Sequence, residues 1–342
     1  RIEFQSNLIG DFSIARRLKE PLYNFSCVVD DFDTKISHVV RGEDHIPNTP
    51  KQILLQQALG FPTPQYAHLS MILAPDRSKL SKRHGAVPAK EYREKGYLPE
   101  ALINFLVLLG WHPEDEREIF SLKSLEKEFS LERAQKSGAV FNEQRLDWLN
   151  GFYLRNLSLE KLTEKCLPFF IKANLLAVAK EFLPAQLLDV PTEEKPREQK
   201  YEISATEEIV EFSFLAQVVS LYQQRLKKLS EIVELTDFFF QKEIVLNKES
   251  LRWKGTEDKE VSQNLEQARK VLEKIKKEEW QKENLEKILL AEAEKAGDRG
   301  KFLWPLRVAL TGKAASAGPV EIAFLLSQAK ALARIKAARS LF

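Results

Sequence analysis

Ile36 to Val40 places three β-branched residues in five, and four ionisable residues follow within the next five positions: Arg41, Glu43, Asp44 and His45. The run reads as a buried strand that ends in a charged turn. Thr49-Pro50 then offers a helix start, with a capping hydroxyl and a proline in the first turn, and the apolar pattern of Gln52 to Leu59 stops at Gly60. Strand, polar turn and helix in that order constrain the region to α/β folding. Phe25 to Val29 and Tyr66 to Leu73 read as further strands of a parallel sheet. Ligands bind such open sheets beyond the carboxyl ends of the strands, which is where this pattern puts Arg41 to His45.

The second informative stretch is Ser78-Lys79-Leu80-Ser81-Lys82-Arg83-His84-Gly85, directly after the last of those strands. Lys79, Lys82, Arg83 and a protonated His84 are cations set among small residues, and such a loop can fold over a polyphosphate. Lysines supply point charges, arginine a planar fork, and Ser81 and Gly85 a close backbone approach. Taken alone, the run reads more simply as a basic surface turn. The charged strand end upstream is what favours a ligand.

A chain of 342 residues suits two or three domains. From Arg1 to about residue 87, short strands alternate with helices. From 88 to 159 the pattern turns helical, and Pro99 opens an apolar helix, Ala101 to Leu109, closed by Gly110. From 160 to 342 helix follows helix without strand alternation. Leu215 to Leu229 carries apolar residues at helical spacing, and Val261 to Ala296 interleaves Glu and Lys as solvated helices do. Pro191 to Lys200 reads as an exposed linker between two helical subdomains. The expected architecture is therefore α/β followed by an all-α region.

Formal net charge is only +2, so any nucleic-acid binding must come from local basic faces and not from bulk charge. Cys27 and Cys166 are too few for a disulfide scaffold or a cysteine-rich zinc site and read as ordinary buried thiols. No apolar run has membrane-spanning length, and the first residues show no signal-peptide pattern, so a soluble, cytoplasmic protein is expected.

In order and spacing, these motifs resemble bacterial-type glutamyl-tRNA synthetase, a class I aminoacyl-tRNA synthetase. The resemblance is carried by Tyr23-Asn24-Phe25, Val28-Val29-Asp30-Asp31, His38 through His45, Asn48-Thr49-Pro50 and Tyr66-Ala67-His68. It continues through Lys79 to Ala86, Gly96 to Ala101, Leu109-Gly110-Trp111, Phe141 to Asn150 and Leu306 to Gly312, nearly the whole chain. It implies a Rossmann-like catalytic domain over 1–87, a stem-contacting domain over 88–159 and an all-helical anticodon-binding domain over 160–342. The family's His-x-Gly-His-type signature has no counterpart among His38, His45, His68, His84 and His112. The resemblance therefore implies an amino-terminally truncated catalytic domain, lacking its first half.

The activity so implied is that of a monomeric glutamate–tRNA ligase. L-Glutamate is activated with ATP, accompanied by Mg2+, to glutamyl-adenylate and transferred to the 3′ end of tRNA(Glu). The alternatives are a non-discriminating enzyme that also charges tRNA(Gln) and a catalytically incomplete tRNA-binding fragment. Lys82 first and Lys79 second match the lysines that contact the phosphates, while Arg83 and His84 read equally as solvated flank. Ser81, Glu43, Asp44 and His45 match residues around the nucleotide, although one of the last three also reads as an ion-pair partner of Arg41. Arg41 matches an arginine that grips the substrate carboxylate, expected through two parallel hydrogen bonds. Tyr23 matches a tyrosine facing the substrate, and Cys27 falls on the pocket wall, where some members carry asparagine. No metal ligand can be assigned. Arg307 to Ile322 looks like the segment that meets the anticodon, with Arg307, Thr311 and Ser316 as its RNA-contacting candidates. Ser316-Ala317 stands where the family commonly shows Ser-Pro or Thr-Pro.

Overall fold

The computed structural model describes residues 2–81, 87–179 and 196–342. It divides into two compact units: Arg1–Tyr92 with Pro99–Leu149, and Arg93–Leu98 with Asn150–Phe342. Lys82, Arg83, His84, Gly85 and the linker positions 191–195 lie outside the described residues.

The first unit begins with a small antiparallel ribbon, β1 (Ala15–Arg17) and β2 (Glu20–Pro21), followed by α1 (Tyr23–Asp33), β3 (His38–Gly42), α2 (Thr49–Leu59) and β4 (Gln65–Leu69). Strands β3 and β4 pair in parallel, from His38 opposite Gln65 to Gly42 opposite Leu69, with α2 as the crossover. This is the expected strand–helix–strand unit. Pro50 sits in the first turn of α2, and Gly60 ends it in the left-handed region at φ 70°.

Three expectations shift. The strand read at Ile36–Val40 lies two residues later, so Arg41 is inside it. The segment Phe25–Val29 is helical, not extended. Its Val28 is buried, four residues before Phe32, whose ring stacks on Phe61 at 3.8 Å. That spacing of four is helical, and a run of only five residues cannot reveal it. The strand read at Tyr66–Leu73 breaks after Leu69; β5 (Ile72–Leu73) pairs instead in parallel with β6 (Ala139–Val140). Gly138 permits that pairing, because a Cβ there would lie 2.8 Å from the Met71 carbonyl oxygen.

Helix α3 (Ala89–Lys95) precedes α4 (Pro99–Gly110), which matches the helix expected behind Pro99. Inside α4 the buried Asn104 accepts from Phe120 N at 2.8 Å and donates to Glu118 O at 2.9 Å, pinning the strandless stretch ahead of α5 (Leu122–Glu128). Trp111, Phe120 and Leu125 form a local core there. Helix α6 (Glu143–Arg155) then leads into the second unit.

The second unit is mainly helical, as expected, with one addition. After α7 (Leu159–Lys172), strands β7 (Leu176–Val178), β8 (Lys200–Ile203) and β9 (Ile209–Glu211) form an antiparallel sheet in the order β7-β8-β9. Strands of three or four residues carry too few alternations to be read by period, and β8 begins within the stretch read as linker. Helix α8 (Phe212–Ser220) is shorter than the Leu215–Leu229 pattern. The chain goes on in turns that still bury Tyr222, Leu226 and Leu229, and a short α9 (Glu231–Thr236) follows. The charge-interleaved stretch forms α10 (Asp258–Glu273) and α11 (Lys282–Lys295), where Arg269 bridges Glu266 and Glu273. Helices α12 (Arg299–Thr311), α13 (Pro319–Leu326) and α14 (Gln328–Arg339) complete the unit. Among the described residues no helix is long and apolar enough to cross a membrane.

Candidate functional site

Arg41 sits one residue before the end of β3, and its guanidinium is anchored from two neighbouring elements. Nη2 donates to Thr49 Oγ1 and to Gln52 Oε1, both at 2.8 Å, on the first turn of α2. Nε points to His68 Nε2 at 3.5 Å across the parallel pair, and the guanidinium lies 5.3 Å from the centre of the Tyr66 ring. Gln52, 1% exposed, in turn donates to Asn24 on α1. Two of the three donor nitrogens are thus engaged, and among the described residues Nη1 alone is left to meet an incoming carboxylate. The expected fork of two parallel bonds becomes a single contact unless a ligand displaces Gln52.

Burial and the adjacent Arg41 cation hold the His68 imidazole below its ordinary pKa. A neutral ring suits the geometry, since Nε2 faces the Arg41 donor and must accept. Thr49 Oγ1 lies 3.0 Å from the same nitrogen and 3.1 Å from the His45 carbonyl oxygen.

Beyond the strand, Glu43–Asn48 form a tight helical turn. Glu43 accepts the Met71 N–H at 3.1 Å, tying the turn to the chain just after β4. Asp44 turns back over Gly42, where a Cβ would lie 2.6 Å from its Oδ1, and pairs with Lys79 Nζ at 2.8 Å. The Lys79 ammonium holds the Asp44 carboxyl below the usual carboxylate range. The ion-pair partner among residues 43–45 is therefore Asp44, and it serves Lys79 and not Arg41. Tyr23 Oη lies 3.3 Å from His45 Nδ1, so the first turn of α1 meets the same turn.

The basic run is rooted close by. Asp76 Oδ1 accepts from both the N–H and the hydroxyl of Ser78, Ala74 N–H donates to Ser78 O, and Leu80 N–H donates to Ile72 O. This tight turn fixes Lys79 against β5, and Ser81 is the last described residue before Lys82. Cys27 donates through Sγ to Asp31 at 3.7 Å, and burial together with Asp31 pushes its thiol pKa up, which favours the neutral thiol. A cavity of about 340 Å³ opens beside this network, lined by Ile2, Phe4, Ile46, Thr49, Ile53, Tyr66 and His68. Among the described residues no group of three His, Cys, Asp or Glu side chains is arranged to hold a metal ion.

The second unit carries the other candidate. Arg307 on α12 lies 5.5 Å from the Trp304 ring centre, and its Nε is buried without a partner among the described residues. Thr311, 2% exposed, donates to Arg307 O and accepts the Lys313 N–H. Ser316, 6% exposed, donates to Ala317 O. Both hydroxyls are turned inward and occupied, so these two residues shape the segment and Arg307 is the candidate left with an unused donor.

Gln52, Tyr66 and His68, to which sequence reasoning gave no role, and Thr49, read there only as a helix cap, surround the Arg41 guanidinium. The signal was present in the strand pairing: once β3 and β4 are in register, His68 falls directly opposite Arg41.

The class I (E and Q) tRNA synthetase catalytic domain family matches residues 1–148, and the anticodon binding domain family matches residues 161–339. A glutamate–tRNA ligase of Desulforamulus reducens is 39% identical over 344 residues, which cover 99% of this chain and 64% of that protein. One of Carboxydothermus hydrogenoformans is 40% identical over 336 residues, covering 98% and 63%. A solved glutamate tRNA ligase from Elizabethkingia meningosepticum, in complex with its amino acid, superposes with a TM-score of 0.74 at 25% identity over 98% of this chain and 63% of that one. The chain thus spans a little under two thirds of the length of these relatives.

Proposed function

The chain belongs to the class I tRNA synthetases of the E and Q type, with residues of their catalytic domain and of their anticodon-binding domain, and on that premise we propose that it acts in attaching L-glutamate to tRNA(Glu) in the cytoplasm. The observation that carries the reading is that the turn just past the Arg41 strand end holds a lysine of the basic run: Asp44, three residues after Arg41, pairs with Lys79 at 2.8 Å. An amino-acid carboxylate at Arg41 and a triphosphate at the lysine loop would then be neighbours.

The reaction is positioning and charge stabilisation. The α-carboxylate of glutamate attacks the α-phosphorus of ATP, the bond to the β-phosphate oxygen breaks, and pyrophosphate leaves. A terminal ribose hydroxyl of the tRNA then attacks the activated carbonyl and releases AMP. Negative charge builds on the phosphate oxygens in the first step, which is where Lys79 and Lys82 act. Arg41 orients the glutamate side chain, Tyr23 and Cys27 bound its pocket, and Ser81, Glu43 and His45 border the nucleotide. Magnesium belongs to the substrate, arriving on the triphosphate. Arg307 reads the anticodon by stacking or hydrogen bonding, on a segment shaped by Thr311 and Ser316.

Glutamate-dependent ATP–pyrophosphate exchange tests the proposal, on this chain and on a form extended to the length of the relatives. Exchange in either, slowed by Lys82→Ala without loss of tRNA affinity, is expected. Anticodon-dependent tRNA binding with no exchange in either form would favour the tRNA-binding alternative. Charging of tRNA(Gln) as well as tRNA(Glu) would identify the non-discriminating version.

A further inference from the structure

The segment between α12 and α13 has an exposed tip, Ala314 and Ala315, and a buried base, Ser316 and Ala317, each 6% exposed. That base is held by the stretch of chain after α8. Arg225 Nη1 donates to the Ser316 carbonyl oxygen at 3.0 Å, and the Ala317 N–H donates to the hydroxyl of Tyr222 at 3.2 Å. Tyr222 is fully buried. At the near end of the segment Lys313 pairs with Asp237 at 2.8 Å. One short loop is therefore fastened through a carbonyl, an amide and an ammonium to three residues of the stretch 222–237.

The amide bond is the informative one. A buried N–H must find a partner or pay the desolvation cost of going without. Here the donor exists only because residue 317 is not proline, which has no N–H. Proline would fix the local backbone through its ring; alanine leaves it free unless something else fixes it. The Tyr222 hydroxyl lies where it does that, in surroundings where water competes little for the bond.

We infer that Tyr222 is a positioning residue for anticodon recognition, its buried hydroxyl setting the Ser316–Ala317 backbone through a hydrogen bond that a proline at 317 could not make. The inference rests on the anticodon reading given above and names how this chain holds the reading segment still. Arg225 braces the preceding carbonyl. The tip at Ala314 and Ala315, together with Arg307 four residues before the end of α12, then meets the RNA with less conformational entropy to lose.

Tyr222→Phe keeps the ring and removes the acceptor. The full chain is titrated with two transcripts of one tRNA, the first bearing the glutamate anticodon and the second an altered one, and the ratio of affinities is the readout. The substitution should lower that ratio about fivefold, the worth of one neutral hydrogen bond, and speed amide exchange at residues 316–318. An unchanged ratio in a folded variant overturns the positioning role and leaves anticodon recognition intact. A wild-type chain that binds both transcripts equally overturns recognition and this inference together. Independently of any variant, the Ala317 amide of the wild-type chain should exchange far more slowly than those of Ala314 and Ala315. Equal rates would show that the bond does not hold the segment.

Discussion

Replacing Arg334 by methionine should destabilise the second unit by several kilocalories per mole, although no carboxylate among the described residues pairs with it. Its side chain, 6% exposed on α14, donates to three backbone carbonyls: Leu310 O and Phe238 O at 2.6 Å and Gln241 O at 3.1 Å. These groups end α12 and the turn after α9, where helical carbonyls have no partner of their own. Burial pushes the guanidinium pKa down to about 10, so it stays charged at neutral pH against a penalty of roughly 3 kcal/mol. Each hydrogen bond from a cation contributes about 1.5–3 kcal/mol, so three of them outweigh that penalty. Methionine relieves the burial cost but strands all three carbonyls, for a net loss of roughly 2–5 kcal/mol. For a unit of this size the melting midpoint should fall by roughly 5–15 °C. Thermal unfolding followed by circular dichroism at pH 7 measures it, with Arg334→Lys expected in between because one ammonium cannot span three separated acceptors. A methionine variant that melts at or above the wild-type temperature would show that desolvation dominates and that the carbonyls find water.

Three further outcomes follow from the first unit. Arg41→Lys replaces the guanidinium fork by one nitrogen, which cannot stay on Thr49 and Gln52 and also face a substrate from a second position as Nη1 does, so KM for glutamate in pyrophosphate exchange should rise roughly tenfold with KM for ATP little changed; equal changes in both would move Arg41 to the nucleotide. Lys79→Ala removes an exposed ion pair and should leave the melting temperature within about 3 °C while raising KM for ATP; a larger thermal loss would make the pair structural instead. His68 has a depressed folded-state pKa, so its contribution is present above its unfolded value of 6.5 and is lost as pH falls below that, when the unfolded chain takes the proton first. His68→Gln should therefore flatten the decline of stability between pH 7 and pH 5, and parallel curves for the two proteins would mean that the ring is as easily charged folded as unfolded.

How much of this was legible in the sequence depends on the range of the physics involved. The α2 helix was readable because its signals are local: Pro50 fixes the first turn and Gly60 supplies the left-handed stop. The Pro99–Gly110 helix was readable for similar reasons. Phe25–Val29 was misread because a mostly apolar run of five residues fits a strand or one and a half helical turns, and only the distant partner Phe61 decides between them. The β7–β8–β9 sheet was missed because each strand is shorter than the pattern needed to detect it.

The candidate site follows the same rule, and the consequence is chemical. Charge type and order placed Arg41, Asp44 and Lys79 near a strand end, but nothing local said which carboxylate meets which cation. Had Asp44 paired with Arg41, the guanidinium would be neutralised and a poor carboxylate receptor. In the folded chain Gly42 lets Asp44 turn away towards Lys79, and Arg41 is held by the uncharged Thr49, Gln52 and His68. Neutral partners position a guanidinium without cancelling its charge, so Arg41 keeps its attraction for an anion, whereas Lys79, in the role proposed for it, would exchange Asp44 for phosphate. That difference between a cation held ready and a cation held in reserve is set by parallel register and by one glycine.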